Sequence, residues 1–300
     1  MSQALVPRAD AIVELPDGRT LAYAEWTDAR TAPILFFHGL PMSRLFFPDP
    51  ATASDMGVRA ITLDRPGIGG SDPQPDHRVA DWPADVTAFT DALGIDRFGV
   101  IGNSAGAPYA LACAALIPDR LTGVAITNSA SAMIYLARDD PEVRAAVLDD
   151  DDQRIMVLLE GDPEAGAKEA VAVGSEWVAG LAEHPEQILT GDDDEGDAWF
   201  FEDPARHDMF VESIREAVRQ GIDGVAVQWL AQLAPWGFRV EDIEMPVSVW
   251  LGANDRITPP HVMRKLTDRI PHHVTTVWDD AGHNGIAKHL REVLEQIRGT

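Results

Sequence analysis

Between Phe98 and Leu116 an apolar strand pattern, Phe98 to Ile101, runs through Gly102-Asn103-Ser104-Ala105-Gly106 straight into an apolar helix pattern, Tyr109 to Leu116. Pro108 constrains that junction. A proline lacks an N–H and clashes with the preceding turn everywhere except the first turn of a helix, so the helix must begin within a few residues of Ser104. The chain therefore turns very tightly at Ser104. Gly102 and Gly106 remove side chains where strand and helix backbones would collide, and the strained turn lifts the Ser104 hydroxyl clear of the sheet, beside a helix amino terminus. G-x-S-x-G alone is a weak signal; its strand-turn-helix setting gives it meaning.

The rest of the chain keeps the same rhythm. Ile12 to Leu15 and Thr20 to Ala24 alternate around Pro16-Asp17-Gly18, the mark of an antiparallel hairpin. Compact apolar runs without alternation follow at Ile34 to Phe37, Ala60 to Leu63, Phe98 to Ile101, Val124 to Ile126, Val247 to Leu251 and Val274 to Trp278, as suits strands buried on both faces. Between them, apolar residues fall on one helical face: Val86, Phe89 and Leu93 behind an Asp81 cap; Tyr109 to Leu116; Val262, Met263, Leu266 and Ile270 after Thr258-Pro259; and Ile286, Leu290, Val293, Leu294 and Ile297. Strand alternating with helix predicts an α/β fold with a mostly parallel sheet covered on both faces. One interval departs from this. From Ser131 to Val240 only helix-like stretches occur (Glu142 to Leu159, Pro163 to Leu181, Met209 to Gln220, Val225 to Leu233), separated by acidic, Gly-containing loops. The expected organisation is a core of residues 1–130 and 241–300 around a helical insertion of residues 131–240.

A chain of 300 residues, 45% hydrophobic, can bury one large core and still carry such an excursion. No stretch approaches the ~18 uninterrupted apolar residues of a membrane span. Met1 to Ala11 has one arginine and no apolar run suited to a secretory leader, so a cytoplasmic location is expected. The net charge of −25 opposes phosphate backbones and anionic lipid surfaces, and neither nucleic acid nor membrane is expected as a partner. The single cysteine, Cys113, excludes internal disulfides and thiolate metal sites, and its place on an apolar helix marks it as a core thiol. Asp149 to Asp152 and Asp192 to Asp194 lack the glycine and terminal glutamate of a calcium loop and read as solvated loops.

A serine hydroxyl becomes a useful nucleophile only when an imidazole takes its proton, and that imidazole needs an acid to fix its tautomer. Among nine histidines, His283 stands in Asp280-Ala281-Gly282-His283-Asn284-Gly285, a small-residue loop between the last strand and the last helix. Loops at strand carboxyl ends are where open α/β sheets assemble their sites. His272 and His273 begin a strand, His289 sits on the final helix, and His77, His184, His207 and His261 lie in polar settings that read as surface. Asp255, Asp279 and Asp280 compete as the acid. Asp279 and Asp280 share the histidine's own turn, where Asp commonly bonds local backbone, whereas Asp255 follows a separate buried strand and can reach Nδ1 from the side. The predicted order is Ser104, Asp255, His283.

Together these segments resemble the α/β-hydrolase superfamily. Phe37-His38-Gly39-Leu40-Pro41 is similar to the family's H-G-x-P oxyanion loop, and Asp64-Arg65-Pro66-Gly67-Ile68-Gly69-Gly70-Ser71-Asp72 to its D-R-P-G-x-G-x-S-D stretch. The matching motifs span nearly the whole chain outside the insertion. The resemblance implies an eight-stranded, mostly parallel α/β-hydrolase sheet with helices on both faces, and a helical cap over the serine. It further implies an oxyanion hole made by the backbone N–H groups of Leu40 and Ala105, a structural role for His38, and chemistry that needs no cofactor or metal. Gly67 to Gly70 then reads as a turn, since no helix follows it to bind phosphate. Trp177, Trp199, Phe200, Phe201, Met209, Phe210, Trp229 and Trp236 give the insertion an aromatic content that favours a small apolar or aromatic acyl substrate. The implied activity is that of a carboxylesterase-like serine hydrolase acting on an ester, thioester, lactone or similar acyl bond through an acyl-enzyme.

The Gly-Asn-Ser form of the turn also resembles carbon–carbon bond hydrolases, and H-G-x-P followed by Ser43-Arg44 resembles proline iminopeptidase-like members. Ser104 excludes the dehalogenase and epoxide-hydrolase branches, which carry Asp there. A non-hydrolytic enzyme using the same residues, and a non-catalytic ligand receptor or scaffold on the same fold, are the alternative readings.

Overall fold

The opening hairpin, β1 (Ala9–Glu14) and β2 (Thr20–Glu25), closes around its Pro-Asp-Gly turn with Glu14 opposite Thr20. This computed structural model describes residues 5–129, 131–183 and 197–298; His184 and Asp192 to Asp194 lie outside them. With β3 (Pro33–Phe37), β4 (Arg59–Leu63), β5 (Phe98–Asn103), β6 (Leu121–Thr127), β7 (Val247–Gly252) and β8 (His273–Trp278), the hairpin forms one eight-stranded sheet in the order β1-β2-β4-β3-β5-β6-β7-β8. β2 runs antiparallel to β4, and all later pairings are parallel. The strand order reverses around β3, which lies between β4 and β5, so the crevice of an open α/β sheet opens at the carboxyl ends of β3 and β5. β8 departs from the doubly buried expectation. Among the described residues it is an edge strand, and its Val274 is 69% exposed.

Helices cover both faces. On one, α2 (Trp82–Ala92) and α3 (Ala107–Leu116) bury Val86, Phe89, Leu111 and Ala114 in a cluster with Leu35, Val100, Val124 and Val249 of the strands. On the other, α1 (Pro50–Asp55) and α12 (Ile286–Ile297) bury Ala53, Leu290, Val293 and Leu294 against Ile34, Phe36, Ile101 and Ala125. α11 (Pro260–Thr267) precedes β8 and buries Val262, Met263 and Leu266. Sequence periodicity missed α1, which has only six residues; its signal is the Asp49-Pro50 pair, with Asp49 accepting the N–H groups of Ala51 and Thr52, each at 3.1 Å. Asp81 does not cap α2 with its side chain. A 3-10 turn over Val79–Asp81 runs directly into the helix, and the Asp81 carboxylate accepts from Arg78 N at 2.8 Å instead.

Between β6 and β7, where an insertion is expected, the described residues form helices and no strands: α4 (Ser131–Asp139), α5 (Pro141–Val147), α6 (Asp150–Gly161), α7 (Pro163–Glu183), α8 (Ala198–Phe201), α9 (Pro204–Ala217) and α10 (Asp223–Leu233). The run Asp149 to Asp152 is not a solvated loop. Asp149 caps α6 by accepting Asp152 N at 2.8 Å, and the next three carboxylates occupy the first turn, where the helix dipole favours negative charge. The same cap divides the predicted Glu142 to Leu159 helix into α5 and α6. Ile155, Met156 and Ala170 of α6 and α7 form a separate small cluster with Ile134, Ala137 and Leu233. Phe200, Met209, Phe210 and Ile214 of α8 and α9 instead join the cluster beneath α12.

His77 overturns its surface reading. It is buried, its ring stacked on Tyr109 with centroids 5.9 Å apart, and burial pushes its pKa down to about 3. Its neighbours in sequence are polar, but the packing partner comes from α3. An unfolded histidine takes up a proton near pH 6.5 and the folded one only near 3, so the stability contributed by neutral His77 is complete above 6.5 and is lost as pH falls. Buried Asp64, pushed up to about 6, and Asp152, pushed up to about 7, act in the opposite direction. The test is therefore a difference between proteins. In urea titrations, His77→Phe should gain on the wild type by about 2 kcal/mol between pH 6.5 and 5. A gap that does not change with pH contradicts this.

Candidate active site

Ser104 follows β5 at φ +51, a left-handed conformation that costs a residue with a Cβ about 1–2 kcal/mol. The surrounding glycines explain how the chain holds it there. A Cβ on Gly102 would stand 2.7 Å from Ala107 Cα, and one on Gly106 would run into the Phe37 carbonyl. From the other side the loop after β3 comes in. A Cβ on Gly39 would stand 3.0 Å from Ser104 Cβ and 3.5 Å from Oγ, so Leu40 and Ala105 both flank the serine through their neighbours in sequence. The Leu40 side chain packs against Ile68, Ala217 and Val225.

His38 is fully buried, and burial together with the Arg65 charge holds it well below its usual pKa and therefore neutral. Its Nδ1 lies 2.8 Å from the Gly39 carbonyl, a bond that requires the proton on Nδ1. That carbonyl shares a peptide with the Leu40 N–H, which the bond polarises. Arg65, also fully buried, donates from Nη1 to the His38 carbonyl at 2.7 Å and from Nε to Gln228 Oε1 at 3.1 Å, with its guanidinium 4.7 Å from the Tyr109 ring centroid. The Tyr109 hydroxyl donates to the same Gln228 oxygen at 2.6 Å, and Gln228 Nε2 donates to the Pro66 carbonyl at 3.0 Å. Gln228, on α10, thus ties the insertion to the loop beside the serine. Sequence reading missed it, because no local pattern distinguishes a buried glutamine on a helix.

Asp255 and His283 are brought together. His283 Nδ1 lies 2.9 Å from Asp255 Oδ2, and the second carboxylate oxygen accepts Thr258 N at 2.8 Å. The Asp255 carboxylate has no exposure. Asp280 stands elsewhere: His289 at 2.8 Å and Lys288 at 3.5 Å hold its exposed carboxyl below its usual pKa. Asp279 is exposed, and its backbone carbonyl accepts from Asn254 Nδ2 at 3.2 Å. A Cβ on Gly252 would collide with the Gly282 carbonyl, so glycine there lets the end of β7 approach the histidine loop.

Asn128, fully buried at φ +43, joins these pieces. Its Nδ2 donates to the carbonyls of Gly282 and His283 at 3.1 and 2.8 Å, and its Oδ1 accepts Gly252 N at 2.8 Å. In sequence it marked only a strand end without a carboxylate; asparagine's tolerance of left-handed backbone was the available signal. Phe200, Met209, Phe210 and Trp236 are packed into the two main clusters, and Trp177 is 48% exposed, so the insertion's aromatic residues do not all converge on one pocket. Among the described residues, no three His, Cys, Asp or Glu side chains come together as a metal-ligand set, and no helix is long and apolar enough to cross a membrane.

A sheet whose order reverses at β3, with a left-handed serine after β5 and an acid–histidine pair after β7 and β8, defines a class. The chain belongs to the alpha/beta hydrolase fold family, whose model matches residues 32–290. It is 25% identical over 261 residues to RutD of Caulobacter sp. (strain K31), provisionally named a carbamate hydrolase, with 83% of each chain covered. Over 102 residues it is 35% identical to the non-heme chloroperoxidase of Streptomyces lividans, a match spanning 31% of this chain and 35% of that protein. The solved bromoperoxidase from Bacillus anthracis shares the fold with a TM-score of 0.65 at 18% identity, covering 96% of this chain and 97% of that one.

Proposed function

We propose that the protein is a carboxylesterase-like serine hydrolase that cleaves an ester, thioester, lactone or similar acyl bond in a small apolar molecule. The observation that carries this reading is the 2.9 Å bond between His283 Nδ1 and a fully buried Asp255 carboxylate, on the same sheet edge as the left-handed Ser104. Ser104 Oγ attacks the carbonyl carbon as His283 Nε2 takes its proton; the proton then passes to the leaving group, and the acyl-enzyme forms. Water, activated by the same imidazole, attacks the acyl carbon and releases the acid and the free serine. Asp255 keeps the proton on Nδ1 and stabilises the imidazolium. The N–H groups of Leu40 and Ala105 receive the oxyanion, the first polarised by neutral His38. A carbamate, the substrate class in the RutD relative's name, presents a carbonyl carbon as an ester does.

A fluorophosphonate probe together with a panel of small aryl esters tests the proposal. The expected result is one adduct, on Ser104, and ester turnover blocked by it. Turnover of vinylogous diketones with inert esters favours carbon–carbon cleavage. A folded protein that forms no adduct is a receptor or scaffold, and the hydrolase reading fails.

A further inference from the structure

Asp197 has no exposure and belongs to the inserted segment, one residue ahead of α8. Its two carboxylate oxygens accept the backbone N–H of Asn284 at 3.0 and 2.8 Å, and Oδ2 also accepts Asn284 Nδ2 at 3.2 Å. On the other side of His283, a Cβ on Gly282 would stand 3.0 Å from the Asp197 carboxylate carbon. Both neighbours of the histidine are therefore moulded on one buried carboxylate. The opposite side of the loop is held from the sheet by Asn128, which binds the carbonyls of Gly282 and His283.

Burying a carboxylate is costly unless its oxygens are bonded, and holding α8 in place does not require one. The same helix docks through apolar and cation–π contacts: Phe200 packs among Phe46 and Phe210, and Lys288 of α12 lies 4.7 Å from the Trp199 ring centroid. What the carboxylate adds is a directional grip on the backbone N–H next to His283. We infer that Asp197 is a positioning residue for His283, so that the imidazole is aligned with Ser104 only when the α8 end of the insertion is seated. This inference rests on the serine-hydrolase reading.

The test uses full-length Asp197→Asn and Asp197→Ala. Asparagine keeps the shape but turns an N–H₂ toward the Asn284 donors; alanine removes the grip. Urea titration establishes that each variant is folded, with the near-isosteric Asn form as the safeguard if the Ala form is not. Ester kinetics and the NMR resonance of the His283 Nδ1 proton shared with Asp255 are then compared with wild type. The expected outcome is a fall in kcat of about 10- to 100-fold with KM nearly unchanged, and a broadened or displaced Nδ1 proton resonance. An unchanged kcat per folded molecule with an unmoved resonance reduces Asp197 to packing and overturns the inference. If the wild type neither hydrolyses esters nor forms a fluorophosphonate adduct, the hydrolase reading has failed; the resonance comparison still decides whether Asp197 orients His283.

Discussion

Replacing Ser104 by alanine should lower kcat by about 10⁴-fold or more, and replacing it by glycine should do the same while leaving a protein more stable than the alanine variant by about 1–2 kcal/mol. In the proposed mechanism the first effect follows from removing the nucleophile that forms the acyl-enzyme. The second follows from φ +51 at position 104, which crowds any Cβ and which glycine adopts without strain. The two substitutions therefore separate what the residue does from what its conformation costs. Single-turnover kinetics and urea titration on both variants check it. Near wild-type turnover in Ser104→Ala would sink the mechanism, and equal stability of the two variants would sink the claim of strain.

The second large effect is expected at the acid. Asp255→Asn should lower kcat by about 10⁴-fold, because an amide in that place favours the wrong imidazole tautomer and no longer stabilises the imidazolium. The geometry allows little compensation. One Asp255 oxygen faces Nδ1 at 2.9 Å and the other is committed to Thr258 N at 2.8 Å, so the group cannot turn without losing a bond. Asp280→Asn should change kcat by no more than a few fold, since its partners are Lys288 and His289 on the surface. Steady-state kinetics on one activated ester suffice for both. A more damaging Asp280 variant with intact fold would assign the acid wrongly here.

Steric necessity is written locally, and it is the part of this molecule that the amino-acid sequence makes legible. Gly102, Gly106 and Pro108 define the turn at Ser104, because each is required within a few residues of where it acts. Asp255 is preferred over Asp280 because the two differ in which strand precedes them. His77, Asn128, Asp197 and Gln228 are not legible in this way. Each acts on groups far away in sequence: His77 on Tyr109, Asn128 on backbone from the ends of β7 and the His283 loop, Asp197 on Asn284, Gln228 on Arg65. A polar residue looks the same in a sequence whether it faces water or completes a buried contact. The acidic run that caps and opens α6 misleads for a smaller reason: a helix start and a solvated loop use the same letters.

The insertion is continuous along the chain, yet its two halves are not equally exchangeable. The α6–α7 pair closes on α4 and the end of α10 through Ile155, Met156, Ala170 and Leu233. The α9–α10 half is keyed to the core by matched pairs: Ser213 to Ser43, Glu216 to Arg44, and Gly224 to Gly67, where a Cβ on Gly224 would strike the Gly67 carbonyl. In a chimera, a donor segment replacing α6 and α7 has to present a compatible apolar face and leave room for Trp229 of α10, which a Cβ on Gly174 would meet at 2.7 Å. One replacing α9 and α10 must bring its partners at positions 43, 44 and 67 with it, or the seam does not close. Crossover points for recombination with a relative therefore belong on either side of α6–α7, which makes that pair the stretch whose exchange leaves the seam at positions 43, 44 and 67 intact.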